Sequence, residues 1–164
     1  MRHAIAVVLS ALAAGCASAP QSGVDAEAAQ AHLESGRAAA EHGRHAEAVD
    51  SFSRAIRAHP EMAEAYYQRG CSYVRLRLGQ EMEGTSRAVE DKALRDFDSA
   101  LRLNPAHGRA YFNRAMVHAS QSRFRAAAED LLNACQHDGR NPEAHLQLAR
   151  VYEEKFEDRG LAAL

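Results

Sequence analysis

The 164 residues carry 20 Lys and Arg against 22 Asp and Glu, a formal net charge of −2, so there is no positive excess to track a nucleic-acid backbone. Hydrophobic residues make up 46% of the chain, which is long enough to close one domain around a continuous core.

In chain order, Arg2 comes first, then a mostly apolar stretch from Ala4 to Ala14, then Gly15 and Cys16. That stretch is shorter than the ~20 residues a membrane-spanning helix takes, but it suits the apolar region of an export signal. Ala13, Ala14, Gly15 and Cys16 resemble the lipobox of bacterial lipoproteins, with Ala13 standing where that family prefers Leu. The resemblance implies that residues 1–15 are a signal peptide and that Cys16 is the lipidation site. Its thiol would receive a diacylglycerol, and the new amino terminus would be acylated with a chain such as palmitate. Ala17, rather than Asp, after the cysteine implies the outer membrane, with the protein facing the periplasm. Residues 16–27 would form a lipidated, flexible tether around Pro20, Gln21, Ser22 and Gly23. An ordinary secretory signal, cut near Ala17 to Ala19 to release a soluble product, stays open as the alternative.

Apolar periodicity then predicts seven helices, at about 26–42, 45–58, 62–78, 86–103, 107–121, 124–137 and 142–158. The first carries Gly36. On the second, Ala48, Phe52 and Ala55 are spaced by four and three residues and share one stripe, and Pro60 follows where the helix has run its course. The third carries Gly70. Between it and the fourth lie 11 extra residues near 78–86, punctuated by Gly79 and Gly84, with Thr85 or Ser86 placed to cap the next helix. This insertion is either a tolerated surface loop or part of a binding edge. The fourth helix repeats the stripe as Ala93, Phe97 and Ala100, closed by Pro105. Ala115 marks the fifth, and the sixth reads Ala127, Leu131 and Ala134, followed by Gly139. Asn141 and Pro142 read as an N-cap and a first helical residue, which starts the seventh. Its charges, Glu153, Glu154, Lys155, Glu157, Asp158 and Arg159, suit the polar outer face of an end piece.

The small residues Gly36, Gly70, Ala115 and Ala149 lie 34, 45 and 34 residues apart, and the 11-residue insertion accounts for the longer interval. A period of about 34 with a small residue, a bulky residue, a second small residue and a closing Pro resembles the tetratricopeptide repeat. The resemblance implies an all-α helical-hairpin solenoid of three and a half repeats wound as a right-handed superhelix. The repeats would span about 29–62, 63–107 and 108–141, with a capping helix at 142–158. Small residues at the helix contacts permit approach to ~8 Å, and the rings fill the hollows that remain.

The third helix carries two apolar stripes: Tyr66, Gly70 and Tyr73 for packing, and Tyr67, Cys71 and Val74 rotated by about one residue. The fifth helix likewise turns Tyr111, Ala115 and His118 inward, while Phe112 and Met116 continue the other stripe. In tetratricopeptide proteins the first helices of the pairs line a concave groove. The resemblance therefore places Arg37, Tyr67, Arg75, Arg109, Phe112 and Met116 at a partner-binding site, with Leu33, Cys71, Val74, Leu146 and Arg150 alongside. Apolar anchors bordered by Arg favour a ligand with hydrophobic side chains and a carboxylate. Adjacent first helices also touch, so the strip is open to a second reading as superhelix core. The chaperone-binding subfamily grips a terminal carboxylate with a clamp of Lys and Asn. The corresponding places here hold Leu33, Arg37, Gln68, Arg109 and Asn113, so only Asn113 matches in type and Arg109 in charge.

Other chemistry finds little support. His42 and His45 flank Gly43 with no third ligand, too few for zinc, and His118 replaces Tyr in the packing stripe as a core residue with one satisfied nitrogen. Cys71 and Cys135 fall on helices of different units, so two unpaired, largely buried thiols are expected. No nucleophile elbow or phosphate loop occurs, which argues against an enzyme and against any cofactor or metal. The expected function is that of an adaptor or scaffold in the bacterial cell envelope. Its partner would be a protein or peptide, and its membrane contact would run through the lipid alone. A periplasmic holdase or pilotin-type assembly factor for exported subunits is the alternative.

Overall fold

A computed structural model describes residues 22–79 and 86–160. Cys16, the signal stretch and most of the insertion near 78–86 lie outside the described residues, as do the side chains beyond Glu153 on the last helix. Seven helices and no strand are present among the described residues: α1 Ser22–Glu41, α2 His45–Ala58, α3 Ala63–Gly79, α4 Ser86–Leu103, α5 Gly108–Ser120, α6 Phe124–His137 and α7 Pro142–Gly160. The expected boundaries hold to within a few residues, except that α1 begins at Ser22. Residues 22–27, expected to be tether, are therefore helical, with Asp25 in the first turn where its charge favours the helix dipole.

The helices pair as α1 with α2, α3 with α4 and α5 with α6, and α7 stacks on α6. Within each pair the predicted small residues are fully buried: Ala48 and Ala55, Ala93 and Ala100, Ala127 and Ala134. Phe52, Phe97 and Leu131 are the largest fully buried side chains, each stabilising the fold by ~2–3 kcal/mol through apolar burial. A Cβ on Gly36 would lie 2.5 Å from the Phe52 ring, and one on Gly70 would lie 2.8 Å from that of Phe97. The glycines are thus the hollows into which the rings fit. The third unit reaches the same packing with a larger floor and a smaller knob, Ala115 and Leu131.

Turns follow the local chemistry. Gly43 adopts φ +72° between α1 and α2, a left-handed conformation that a side chain resists. The Asn141 side chain accepts hydrogen bonds from the amides of Glu143 (3.1 Å) and Ala144 (3.3 Å), so the predicted cap in front of Pro142 is present. Ala149 is a correction: it is exposed on α7 rather than buried in a helix contact. Tyr152, in the same stripe, is exposed as well.

A buried ionic device recurs that the sequence reading missed. Arg69 donates through Nε and Nη2 to both oxygens of Asp96 (2.8 and 2.7 Å), and Arg114 does the same to Asp130 (2.8 and 2.6 Å). Each Arg then reaches back one unit, Arg69 to Ser53 (3.0 Å) and Arg114 to Asp98 (2.6 Å). The signal lay in the repeat register: each Arg immediately precedes the small residue of its unit, and each Asp immediately precedes the knob.

Candidate interaction groove

The groove residues come from the first helices α1, α3 and α5, which touch each other only sparingly. Part of the expected strip is consumed by those contacts. Leu33 is a correction, since it lies in the core with Phe52 and Ala65 rather than on a binding surface. Tyr67 is half-buried: its ring centroid stands 4.5 Å from that of His107 and 6.3 Å from that of Phe97. Asn113 donates to both Tyr67 Oη and Cys71 Sγ at 3.2 Å, joining α5 to α3. Phe112 packs half-buried against the cluster around Ala115 and Leu131.

What remains open lies between α3 and α5. A recess of about 250 Å³ is lined by Cys71, Val74, Arg75, Leu78, Asn113 and Met116. A neighbouring recess shares Val74, Leu78 and Met116. Leu78 is 61% exposed and Met116 36%, so apolar surface does face solvent here. Leu78 was absent from the sequence-predicted site, although it continues the Tyr67, Cys71, Val74 stripe by four residues. Arg75 and Arg109 are exposed and make no ion pair among the described residues. Leu146 and Arg150 on α7 are exposed as well, but they line neither recess.

Arg37 departs from expectation. Its guanidinium pairs with Glu64 (2.9 Å) and Glu34 (3.2 Å), so it is occupied by its own chain. Glu64 also accepts from Gln68 (2.7 Å), and His107 Nε2 stands 3.5 Å away. Burial alone would raise the Glu64 pKa, but the hydrogen bonds from His107, Gln68 and Arg37 outweigh it and hold the carboxyl at about 2.

The thiols and His118 are less buried than expected. Cys71 and Cys135 are both free and half-buried. Burial nonetheless pushes the Cys71 thiol up to about 11. His118 Nδ1 is buried without a partner, and Nε2 stands 3.9 Å from Asp130, so neither nitrogen makes a hydrogen bond. Burial lowers its pKa below the ordinary histidine value. Among the described residues no group of three His, Cys, Asp or Glu side chains could hold a metal ion, and no helix is long and apolar enough to cross a membrane.

A family model described as tetratricopeptide repeat matches residues 2–63, 33–78 and 91–142. The chain belongs to the tetratricopeptide repeat family. Modules of this family serve in general for protein interaction rather than catalysis. Among solved structures, the Arabidopsis OM64 TPR domain is similar with a TM-score of 0.70 and 22% identity, covering 79% of this chain and 98% of that one. The first TPR of Spaghetti (RPAP3), bound to the HSP90 peptide SRMEEVD, gives a TM-score of 0.69 at 22% identity over 79% and 94% of the two chains. The second TPR domain of human RPAP3, in complex with the HSP70 peptide SGPTIEEVD, gives 0.65 at 16% identity over 80% and 98%. These likenesses show the fold.

Within the tetratricopeptide register, the five places of the carboxylate clamp are accounted for physically. Leu33 is buried, Arg37 and Gln68 are bonded to Glu64, and Asn113 is bonded to Tyr67 and Cys71. Arg109 alone of the five is both charged and unpaired among the described residues.

Proposed function

We propose that this chain is a non-enzymatic adaptor of the bacterial cell envelope that seats an extended peptide or partner helix across α3 and α5. The observation that carries the reading is the apolar recess at Leu78 and Met116, lined also by Arg75, with Arg109 exposed about two helical turns before Met116 on α5 and neither Arg in an ion pair among the described residues. An apolar anchor would fill the recess, and a carboxylate on either side of it would meet a guanidinium. Tyr67 and Phe112 support this surface from beneath rather than forming its exposed anchors. The peptides bound in the similar RPAP3 structures favour a peptide-sized partner. The lipobox-like segment ending at Cys16 supports anchoring to the outer membrane with the array in the periplasm.

Site-specific photo-crosslinking from Leu78 and Met116 in intact cells tests the groove. One partner should be captured at fixed stoichiometry from both positions. Crosslinks confined to Arg57 or Arg102 on the second helices would sink the reading, and capture of many unrelated unfolded chains would favour a holdase instead. Acyl labelling of wild type and Cys16→Ser tests the anchor separately: the label should vanish in the variant.

A further inference from the structure

Donors from α1, α3 and the turn before α5 converge on one carboxylate on the face of the first helices. Arg37 of α1 and Gln68 of α3 both donate to Glu64 Oε1, at 2.9 and 2.7 Å. His107, in the turn before α5, faces the second oxygen at 3.5 Å. Its tautomer follows from its other bond: Nδ1 accepts from the Ala110 amide (3.3 Å), which leaves the proton on Nε2, pointed at Glu64. A charged group and two neutral donors around one acid are the elements of an anion-binding site, here filled by the chain itself. Arg37 and Glu64 remain more than one-third exposed, so the cluster lies within reach of a ligand.

We propose that Glu64 determines the charge specificity of the groove by standing in for a ligand carboxylate among Arg37, Gln68 and His107. The inference rests on the groove reading above and deepens it. The end of the groove toward α1 is closed to an acidic chain terminus, which leaves Arg75 and Arg109, without ion pairs among the described residues, to meet an anion. Removing the Glu64 charge frees Arg37 and His107 for an incoming acid. A purely structural tie would predict loss of function on mutation, whereas this role predicts a gain.

The test is fluorescence anisotropy with the labelled peptide SRMEEVD and a neutral counterpart carrying Gln, Gln and Asn for its acids and an amidated end. Wild type, Glu64→Gln and Glu64→Ala are compared as full chains whose helicity is checked by circular dichroism. Both variants should bind SRMEEVD at least about tenfold more tightly than wild type, with no such gain for the neutral peptide. Unchanged or weaker affinity, no binding by any form, or an equal gain for the neutral peptide overturns the role of Glu64. An Arg109→Ala variant separates the two readings: if it weakens binding while the Glu64 variants do not improve it, the groove survives and Glu64 falls. Insensitivity to both positions removes the groove as well.

Discussion

The exchange of Gly70 and Phe97 for the Ala and Leu of the third unit is a direct probe of the packing code. A Cβ at Gly70 would lie 2.8, 3.0 and 3.2 Å from three carbons of the Phe97 ring, all inside the optimal separation of about 3.5–4.0 Å. Overpacking of this kind costs ~1–3 kcal/mol, against which Ala gains ~1 kcal/mol of helix propensity over Gly. Gly70→Ala should therefore destabilise by about 0–2 kcal/mol. Phe97→Leu alone leaves part of the hollow empty and should cost about 1–2 kcal/mol. The double variant recreates the arrangement of Ala115 and Leu131, which are 0% and 1% exposed, and should be at least ~1 kcal/mol more stable than the two losses added together. Urea unfolding followed by circular dichroism measures all three. Additivity within ~0.5 kcal/mol would show that the two positions share no space, and the glycine would then need another explanation.

Three further outcomes follow from the charges and thiols. Arg114→Ala leaves Asp130 buried without its bidentate partner and should cost ~3–5 kcal/mol, while replacing Arg114 and Asp130 together by Leu should recover most of the loss, read as urea midpoints. Glu64, held at about 2 against an ordinary 4.5, contributes stability that is complete above pH 4.5 and is lost as pH falls toward 2. The difference in melting midpoint between wild type and Glu64→Gln should shrink over that window, and a difference independent of pH would contradict the assignment. Cys71, with its thiol at about 11 against an ordinary 9.0, holds ~100-fold less thiolate at neutral pH than an ordinary thiol. Peptide-resolved mass spectrometry should find its alkylation slower by at least that factor than that of a small free thiol.

The helices and their pairing were legible because one 34-residue spacing repeats the same steric solution, and Gly36, Ala48 and Phe52 need only their own unit to be understood. The groove was harder to read. Tyr67 and Phe112 look alike in sequence as exposed-stripe aromatics, but whether a ring meets solvent or a neighbour depends on how closely α1, α3 and α5 approach. That distance is set by contacts between units, such as Asn113 with Tyr67, which no single-helix periodicity encodes. Charge was the least legible level. Arg37 and Arg109 look equivalent in the chain, yet Glu64 lies 27 positions from Arg37 and silences only that one. Ala149 fits the register and is still exposed, because a pattern records which partner a helix could take and not which one packs on it.

The placement of the recess follows from the same balance. The seam between α4 and α5 is less extensively packed than that between α2 and α3. It is joined by the apolar packing of Val117 with Leu94 and Phe97 and by the polar links of Arg114 to Asp98 at 2.6 Å and Gln121 to the buried Glu90 at 2.6 Å, while Asn113 bonds α5 to Tyr67 and Cys71 of α3. Hydrogen bonds fix orientation without filling volume, so a seam held this way keeps its two helix pairs in register while leaving apolar surface uncovered. Leu78 and Met116 are that surface. The bidentate pairs of Arg69 and Arg114 hold each hairpin rigid on either side, so a ligand entering the recess meets preformed walls and loses less entropy on binding than a mobile surface would demand. Under the proposed function, the thinly packed seam that costs the array stability would be the place where a partner gains the most by completing it.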